Sequence, residues 1–374
     1  MRNASTLSSE RAEAQSGIRL AGILLSVLLL VRAQSGRLDA NPIPVDVRPE
    51  PNAEPIIGLG DAIRVGEPWQ YRNLSVFPLS LTDYAEPAGV LSNVVTLDRA
   101  IDRGIVEVKE KGSGDVNTVR LRNRGQVHVF GLAGDMIVGA KQDRMLQHDV
   151  LIPPESGWLE VEVYCTEHGR WTAQTEKFGS IQRVVPSAVR ARAAQTESQN
   201  EVWAGVAEAK SALGDRSGTS ALQSIYSDPK VQERSQSYLD KLLPMPGSSH
   251  RTVGVLVAVG DEILCVDLFA THGLLDAMWE KLLRSYVMDA LSRKGEGRLT
   301  ARAARDFLRG LADAEAETRS TPGAGRVYRV TTPDASGSAL VYDRQVVHLD
   351  LFPDSPKLDR DGPTPSLEFR RQNR

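Results

Sequence analysis

Two short polar clusters contain the side chains of this sequence that could do chemistry. They are Gly139-Ala140-Lys141-Gln142-Asp143-Arg144 and Cys165-Thr166-Glu167-His168-Gly169-Arg170-Trp171. Three cations, Lys141, Arg144 and Arg170, could form a pocket that also contains Gln142 and Glu167. Arginine offers a planar fork that fits phosphate or carboxylate, and lysine offers a point charge. The two clusters therefore predict binding of an anionic or nucleotide-like small molecule.

Each of these residues also has a structural interpretation. The cations could pair with Glu167 and nearby aspartates and so hold two strand ends together. Glu167 could instead act as the general base of a hydrolase, and Trp171 could stack on a ring of the ligand. A structural carboxylate and a core tryptophan are the alternatives at those two positions. Whether the protein is an enzyme stays open at this stage.

Several common site classes lack their signatures in this chain. The sequence contains no P-loop, no GxGxxG after a strand, no GxSxG and no HExxH. Two cysteines, Cys165 and Cys265, are too few for a cysteine zinc site or a disulfide framework. They could form one bridge or stay as two buried thiols. We therefore predict no metal site, and the sequence identifies no cofactor.

The overall charge gives no reason to expect a nucleic-acid partner. The net charge is −3 over 374 residues, with an isoelectric point near 6.1. With 41% hydrophobic and 25% charged residues, the composition is that of a globular protein. A small anionic ligand is the expected partner.

Alternating apolar residues predict that strands hold both polar clusters. In Leu159–Cys165 every second residue is apolar, which is typical of a strand with one buried face. If that strand continued for two residues, Glu167 would lie on the buried face and would need a partner. Further strands are predicted in hairpins, and helices in a block near the middle, including one over Leu274–Ala290. The fold class is therefore α+β, with antiparallel hairpins in mixed sheets and inserted helices.

The ends of the chain are expected to lie outside this fold. Arginines precede the apolar run Leu20–Val31, which is typical of a secretory signal peptide over residues 1–33. The run is shorter than the roughly 20 residues of a spanning helix, and an uncleaved membrane anchor is the alternative. Residues 34–65 are predicted to be a disordered linker and 353–374 a disordered tail. The expected location is extracytoplasmic, periplasmic or secreted.

A weak internal echo links two predicted hairpins. One ends in Val266-Asp267-Leu268-Phe269 and the other in Leu349-Asp350-Leu351-Phe352. The echo could reflect a duplicated unit or merely two similar hairpins.

Spaced motifs over about residues 66–352 resemble the ARG-and-rhodanese-phosphatase-superfamily-associated protein domain family, where ARG denotes ADP-ribosylglycohydrolase. Besides the two polar clusters, the resemblance rests on Tyr71-Arg72-Asn73-Leu74-Ser75-Val76-Phe77-Pro78-Leu79, Thr96-Leu97-Asp98-Arg99-Ala100-Ile101 and Val266-Asp267-Leu268-Phe269 with the Trp279 helix. The family usually has Asn at the place of Asp143 and Glu at that of Asp135. The resemblance implies one domain that binds or processes a nucleotide-derived ligand. The alternative is a structural or interaction module of the cell envelope.

Overall fold

In the computed structural model, residues 54–83, 89–112, 116–169, 175, 177–295 and 297–354 are described. The strands are β1 (Ile63–Val65), β2 (Trp69–Tyr71), β3 (Leu74–Leu81), β4 (Val95–Thr96), β5 (Val106–Glu110), β6 (Thr118–Asn123), β7 (Val129–Gly131), β8 (Asp135–Gly139), β9 (Arg144–Leu146), β10 (Val150–Ile152), β11 (Leu159–Cys165), β12 (Phe178–Val184), β13 (Thr252–Val259), β14 (Glu262–Phe269), β15 (Glu315–Arg319), β16 (Arg326–Thr331), β17 (Ala335–Tyr342) and β18 (Gln345–Pro353). The α-helices are α1 (Glu54–Ile57), α2 (Leu59–Ala62), α3 (Leu97–Asp102), α4 (Ser187–Thr196), α5 (Gln199–Leu213), α6 (Gln223–Ser227), α7 (Pro229–Leu242), α8 (His272–Ser292) and α9 (Ala301–Arg309).

The largest sheet has nine strands. Their order is β1-β3-β13-β14-β18-β17-β16-β15, and β2 also pairs with β3. Every residue of β13 is buried. Successive side chains of a strand point to opposite faces, so Val255 and Val257 enter one core whereas Leu256 and Ala258 enter another. Because both faces of β13 are buried, its sequence is apolar throughout and does not alternate with polar residues.

Two smaller sheets complete the α+β fold predicted from the sequence. One has six antiparallel strands in the order β12-β8-β9-β11-β6-β5. The other has three, β10-β7-β4, in which β4 and β7 are parallel. The six-stranded sheet carries both polar clusters of the sequence.

The helices follow local signals in the sequence. The Asp228 side chain accepts hydrogen bonds from the first turn of α7, where Pro229 stands at a position that needs no donor. Gly214 takes the left-handed conformation that ends α5. Helix α8 buries a broad apolar stripe against the nine-stranded sheet, as its spacing predicts. None of the described helices combines the length and apolarity that membrane crossing needs.

One sequence-based expectation needs correction. The predicted linker extends too far, since residues 54–65 form α1, α2 and β1 and bury Leu59 and Ile63. Of the two alternatives for the cysteines, the structure has two buried free thiols and no bridge. The predicted signal segment, the linker up to residue 53 and the tail from residue 355 lie outside the described residues.

Candidate functional site

Three residues of the predicted cluster, Gln142, Arg144 and Glu167, lie close together around the loop between β8 and β9. They are buried and form a structural tie between two parts of the sheet. Gln142 and Arg144 are each 1% exposed, and Glu167 is 6% exposed. An Arg144 Nη1 donates to Gln142 Oε1 at 3.3 Å. The Asp143 N–H donates to Glu167 Oε2 at 3.5 Å, and the Thr166 N–H donates to the Asp143 carbonyl at 3.0 Å. These contacts join the start of β9 to the residues that follow β11.

Lys141 contacts a different part of the sheet. The ammonium of Lys141 is 3.6 Å from a carboxylate oxygen of Glu110, and the Lys141 N–H donates to the same carboxylate at 3.0 Å. Arg170 and Trp171 lie outside the described residues. Strand β11 ends at Cys165, so Glu167 is held by a bend rather than by the strand. The roles of these residues in binding and catalysis stay predictions.

A surface cleft opens beside this cluster. It lies between the turn before β8, the end of β9, helix α4 and strands β15 to β18. The lining residues are Ala133, Gly134, Met145, Leu146, Gln147, His148, Arg190, Ala193, Ala194, Glu197, Arg319, Val327, Tyr328, Arg329, Gly337, Ser338 and Asp350. Among the predicted site residues that the structure describes, Lys141, Gln142, Arg144 and Glu167, none lines the cleft. Three arginines do, and we call this feature the arginine-lined cleft.

Arg190 and Asp350 connect the cleft to charges inside the protein. Arg190 makes two hydrogen bonds to Asp267, at 2.6 and 3.1 Å, and a third to Asp350 at 3.3 Å. Asp267 and Asp350 are directly opposite each other on β14 and β18. Two such carboxylates would repel, so the guanidinium of Arg190 is what allows both to lie there.

The two carboxyl groups respond differently to this environment. Burial tends to raise the pKa of Asp267, but the Arg190 guanidinium and the hydrogen bond from His348 hold it well below its usual range. Burial also raises the pKa of Asp350, and the Arg190 guanidinium offsets this effect only in part. Asp350 is thus the carboxyl group of this pair that takes up a proton more readily.

His348 is held between two carboxylates behind the cleft. Its Nδ1 is 2.7 Å from Asp149 Oδ2, and its Nε2 is 3.2 Å from Asp267 Oδ1. Both ring nitrogens must carry protons to satisfy both contacts. Burial lowers the pKa of His348, but the two carboxylates outweigh it and raise the pKa to about 10. The Tyr286 hydroxyl also donates to Asp267, at 2.6 Å.

Two glycines make room for these groups at the cleft wall. A Cβ on Gly337 would lie 2.1 Å from the carbonyl oxygen of Asp350. A Cβ on Gly134, whose φ is +95°, would lie 2.9 Å from the Cγ of Arg190. Glycine is the residue that tolerates both a positive φ and such close approach. The passage of Arg190 into the cleft therefore depends on Gly134.

Two arginines meet one carboxylate near the mouth of the cleft. Arg319 Nη2 and Arg329 Nη1 are 3.2 and 3.0 Å from Glu197 Oε1. All three side chains are between a quarter and two fifths exposed. His148 lies nearby, and burial is the main reason that its pKa is lowered. A neutral His148 can donate and accept one hydrogen bond each.

The Nε–H groups of Arg190 and Arg319 are buried and lack a hydrogen-bond acceptor within the described part of the chain. Both arginines line the cleft. Buried donors in proteins are nearly always satisfied by protein or water.

A second buried ion cluster stabilises the other side of the six-stranded sheet. The Lys281 ammonium of α8 lies 2.6 Å from Asp135 and 3.1 Å from Asp98. Burial raises the pKa of Asp135, and at Asp98 the nearby ammonium and hydrogen bonds outweigh burial and lower the pKa. Among the described residues, no group of three or more His, Cys, Asp and Glu side chains is arranged to hold a metal ion.

Sequence reasoning missed the cleft because its residues come from six separate elements. One signal pointed toward it. The echoed Val-Asp-Leu-Phe and Leu-Asp-Leu-Phe segments are neighbouring strands, and their aspartates share Arg190. An aspartate in an apolar strand needs a partner, so the repeated aspartate marks a buried charge site. Arg190 itself carries no such signal.

The comparisons with known proteins identify one family. The family model described as the ARG and Rhodanese-Phosphatase-superfamily-associated Protein domain, ARPP-1, matches residues 62–352. No curated protein matches, and no solved structure does. The matched range includes the arginine-lined cleft and both buried ion clusters.

Proposed function

The chain belongs to the ARG and Rhodanese-Phosphatase-superfamily-associated Protein domain family, and we propose that it binds a small anionic molecule in the arginine-lined cleft. The site differs from the one predicted from the sequence, but the ligand class is the same. The buried Gln142, Arg144 and Glu167 act in this proposal as a structural tie next to the site.

The unsatisfied Nε–H groups of Arg190 and Arg319 are the observation that carries the proposal. Each would donate to an oxygen of a phosphate or carboxylate group, and charge-assisted bonds of this kind are the stronger ones in proteins. Arg329 and a neutral His148 would supply further donors at the mouth.

The charge of the cleft suits an anionic group of a ligand. Glu197 contacts Arg319 and Arg329 where a ligand's anionic group would be attracted. In the free protein, the Glu197 carboxylate therefore pairs with the arginines that would bind the ligand's anionic group. Val327 and the Tyr328 backbone line the wall where a base or sugar would pack.

We also propose that the protein acts outside the cytoplasm. Support for this comes from the arginines and the apolar run Leu20–Val31 near the start of the sequence. Comparing the molecular mass and fractionation of the expressed full chain with a variant carrying Leu24→Arg and Leu29→Arg tests it. Loss of export in the variant is the expected result.

Calorimetric titration tests the proposed binding. Adenosine monophosphate, ADP-ribose and inorganic phosphate are the probes, and Arg319→Gln is the variant that removes the charge and one Nε–H donor. Truncating a charged hydrogen-bond partner costs about 1.5–3 kcal/mol, so we expect roughly 10- to 100-fold weaker binding. Arg309→Gln, on the exposed side of α9, is the matched control with unchanged affinity. No binding of any probe, or equal loss in both variants, would favour a structural or interaction module.

Hydrolysis is a second candidate function, favoured by the position of Asp350 in the cleft. Its pKa is raised by burial, as in carboxyl groups that act as general acids. Release of ADP-ribose from an ADP-ribosylated peptide, followed by mass spectrometry, tests this candidate. Turnover that persists in Asp350→Asn would refute a role for Asp350, and turnover lost in Glu167→Gln alone would support the base predicted from the sequence.

A further inference from the structure

On the solvent side of β5 and β6, four cations surround one carboxylate. Glu107 on β5 contacts Lys109, Arg122, Arg124 and Lys177, with N–O distances from 2.5 to 3.1 Å. Their positive charge and hydrogen bonds, with those from Lys109 and Lys177 foremost, lower the pKa of Glu107 to about 2. One carboxylate thus stands among four cations.

An aromatic ring lies within the same group of cations. The Trp158 ring, just before β11, has Arg122, Arg120 and Lys109 at 4.6, 5.3 and 5.5 Å from its centroid. Lys109 and Arg120 are cross-strand neighbours on β5 and β6. Arg120 is exposed, and its only described side-chain contact is this ring. We call Lys109, Arg120, Arg122, Arg124, Trp158 and Lys177 the basic face.

We propose that the basic face binds single-stranded nucleic acid. Phosphates would contact the lysines and arginines, and a base would stack on Trp158 beside an arginine plane. An anionic lipid surface would contact the same cations, but the half-buried Trp158 is the only apolar side chain that the basic face offers for insertion. An acidic peptide would need the cations but not the indole. The net charge of −3 describes the whole chain and not this face.

The position of the face makes this site independent of the arginine-lined cleft. Its residues lie on β5, on β6 and next to β11 and β12, and none of them lines the cleft. Substitutions on the face therefore leave the proposed anion site intact.

Fluorescence anisotropy with labelled oligothymidylate of 20 nucleotides and the full chain tests the proposal. For single strands the logarithm of the binding constant falls by about 0.7 for each neutralised phosphate with each tenfold rise in salt. The double variant Arg120→Gln and Arg122→Gln should lower that slope by about 1.4 and weaken binding roughly 25-fold at 0.1 M salt. Arg302→Gln with Arg309→Gln, on exposed α9, removes two charges elsewhere and should leave both values unchanged.

Trp158→Leu distinguishes nucleic acid from other polyanions, because it keeps every charge. We expect at least fivefold weaker binding of the oligonucleotide and unchanged binding of polyglutamate. Thermal unfolding of each variant verifies that it is folded. The proposal is overturned if the wild-type chain does not bind the oligonucleotide or if both double variants weaken it equally. It is also overturned if polyglutamate or vesicles of phosphatidylglycerol bind more tightly than the oligonucleotide.

Discussion

The doubly protonated His348 should make the stability of this domain depend on pH in a range where few other groups titrate. Its ring contacts the carboxylates of Asp149 and Asp267, and the rings of Phe130 and Phe269 pack against it. The pKa of His348 is about 10 in the folded chain and about 6.5 when unfolded. A group whose pKa is raised by folding stabilises the fold fully below its unfolded pKa. That contribution is lost as the pH rises toward 10.

The expected size follows from linkage. Each pKa unit corresponds to about 1.36 kcal/mol. Between pH 7 and pH 8.5 the unfolded chain has mostly lost the proton and the folded chain keeps it, so the free energy of unfolding should fall by about 2 kcal/mol. Burial lowers the pKa values of His128 and His148, so their effect on stability has the opposite sign and is small above about pH 7 because their unfolded pKa is about 6.5. The pKa of the Cys265 thiol is raised by burial, so this group also lowers the free energy of unfolding as the pH rises, but mainly above about pH 8.

Urea unfolding at half-unit steps from pH 6.5 to pH 8.5 measures this slope. In His348→Gln the part due to the histidine should disappear, although the variant is less stable at every pH because two carboxylates lose their partner. If that variant does not fold, the imidazole nitrogen shifts of the wild-type chain at pH 8 report whether the ring carries both protons. A flat free energy from pH 7 to 8.5, or a neutral ring at pH 8, would refute the reasoning.

Three further predictions concern the cleft and the core. Glu197→Gln should tighten binding of adenosine monophosphate about two- to fivefold in calorimetry, because exposed ion pairs are worth about 0.2–1 kcal/mol; weaker binding would contradict the role given to Glu197. Lys281→Met leaves two buried carboxylates without their cation and should cost about 3–5 kcal/mol in urea unfolding, and a loss below about 1 kcal/mol would count against a buried pair. Gly337→Ala places a Cβ against the backbone of β18 and should lower the melting temperature by several degrees, whereas Gly157→Ala, with open space around it, should not.

The sequence predicted the fold well where one signal dominates. Strand β11 begins and ends where the sequence pattern places it. Every second residue of that strand is apolar, and the strand has the buried face that this alternation predicts. Helix α4 was missed because it begins after Pro186 and carries arginines and alanines without a clear apolar stripe. Its main contribution to the cleft is the buried Arg190. The hydrophobic periodicity of a sequence does not reveal a buried arginine.

The site was harder to predict because the residues whose types suggested chemistry are mostly buried in the structure and not accessible to a ligand. Gln142, Arg144 and Glu167 are close together as predicted, but their burial turns them into a structural tie. Arg190 and Asp350 are separated by 160 positions, and their contact depends on how β14 and β18 pair. Only the echoed aspartates offered a clue. Long-range register of this kind is not encoded in a local motif.

Nuclear magnetic resonance of the arginine Nε–H groups would test the central proposal most directly. With the signals of Arg190 and Arg319 assigned by Arg→Lys substitution, adenosine monophosphate is added until saturation. We predict that both Nε–H signals move as they gain an acceptor, while those of the exposed Arg302 and Arg309 stay in place. If Arg190 and Arg319 do not respond, or if only arginines of the basic face respond, the arginine-lined cleft is not the anion site.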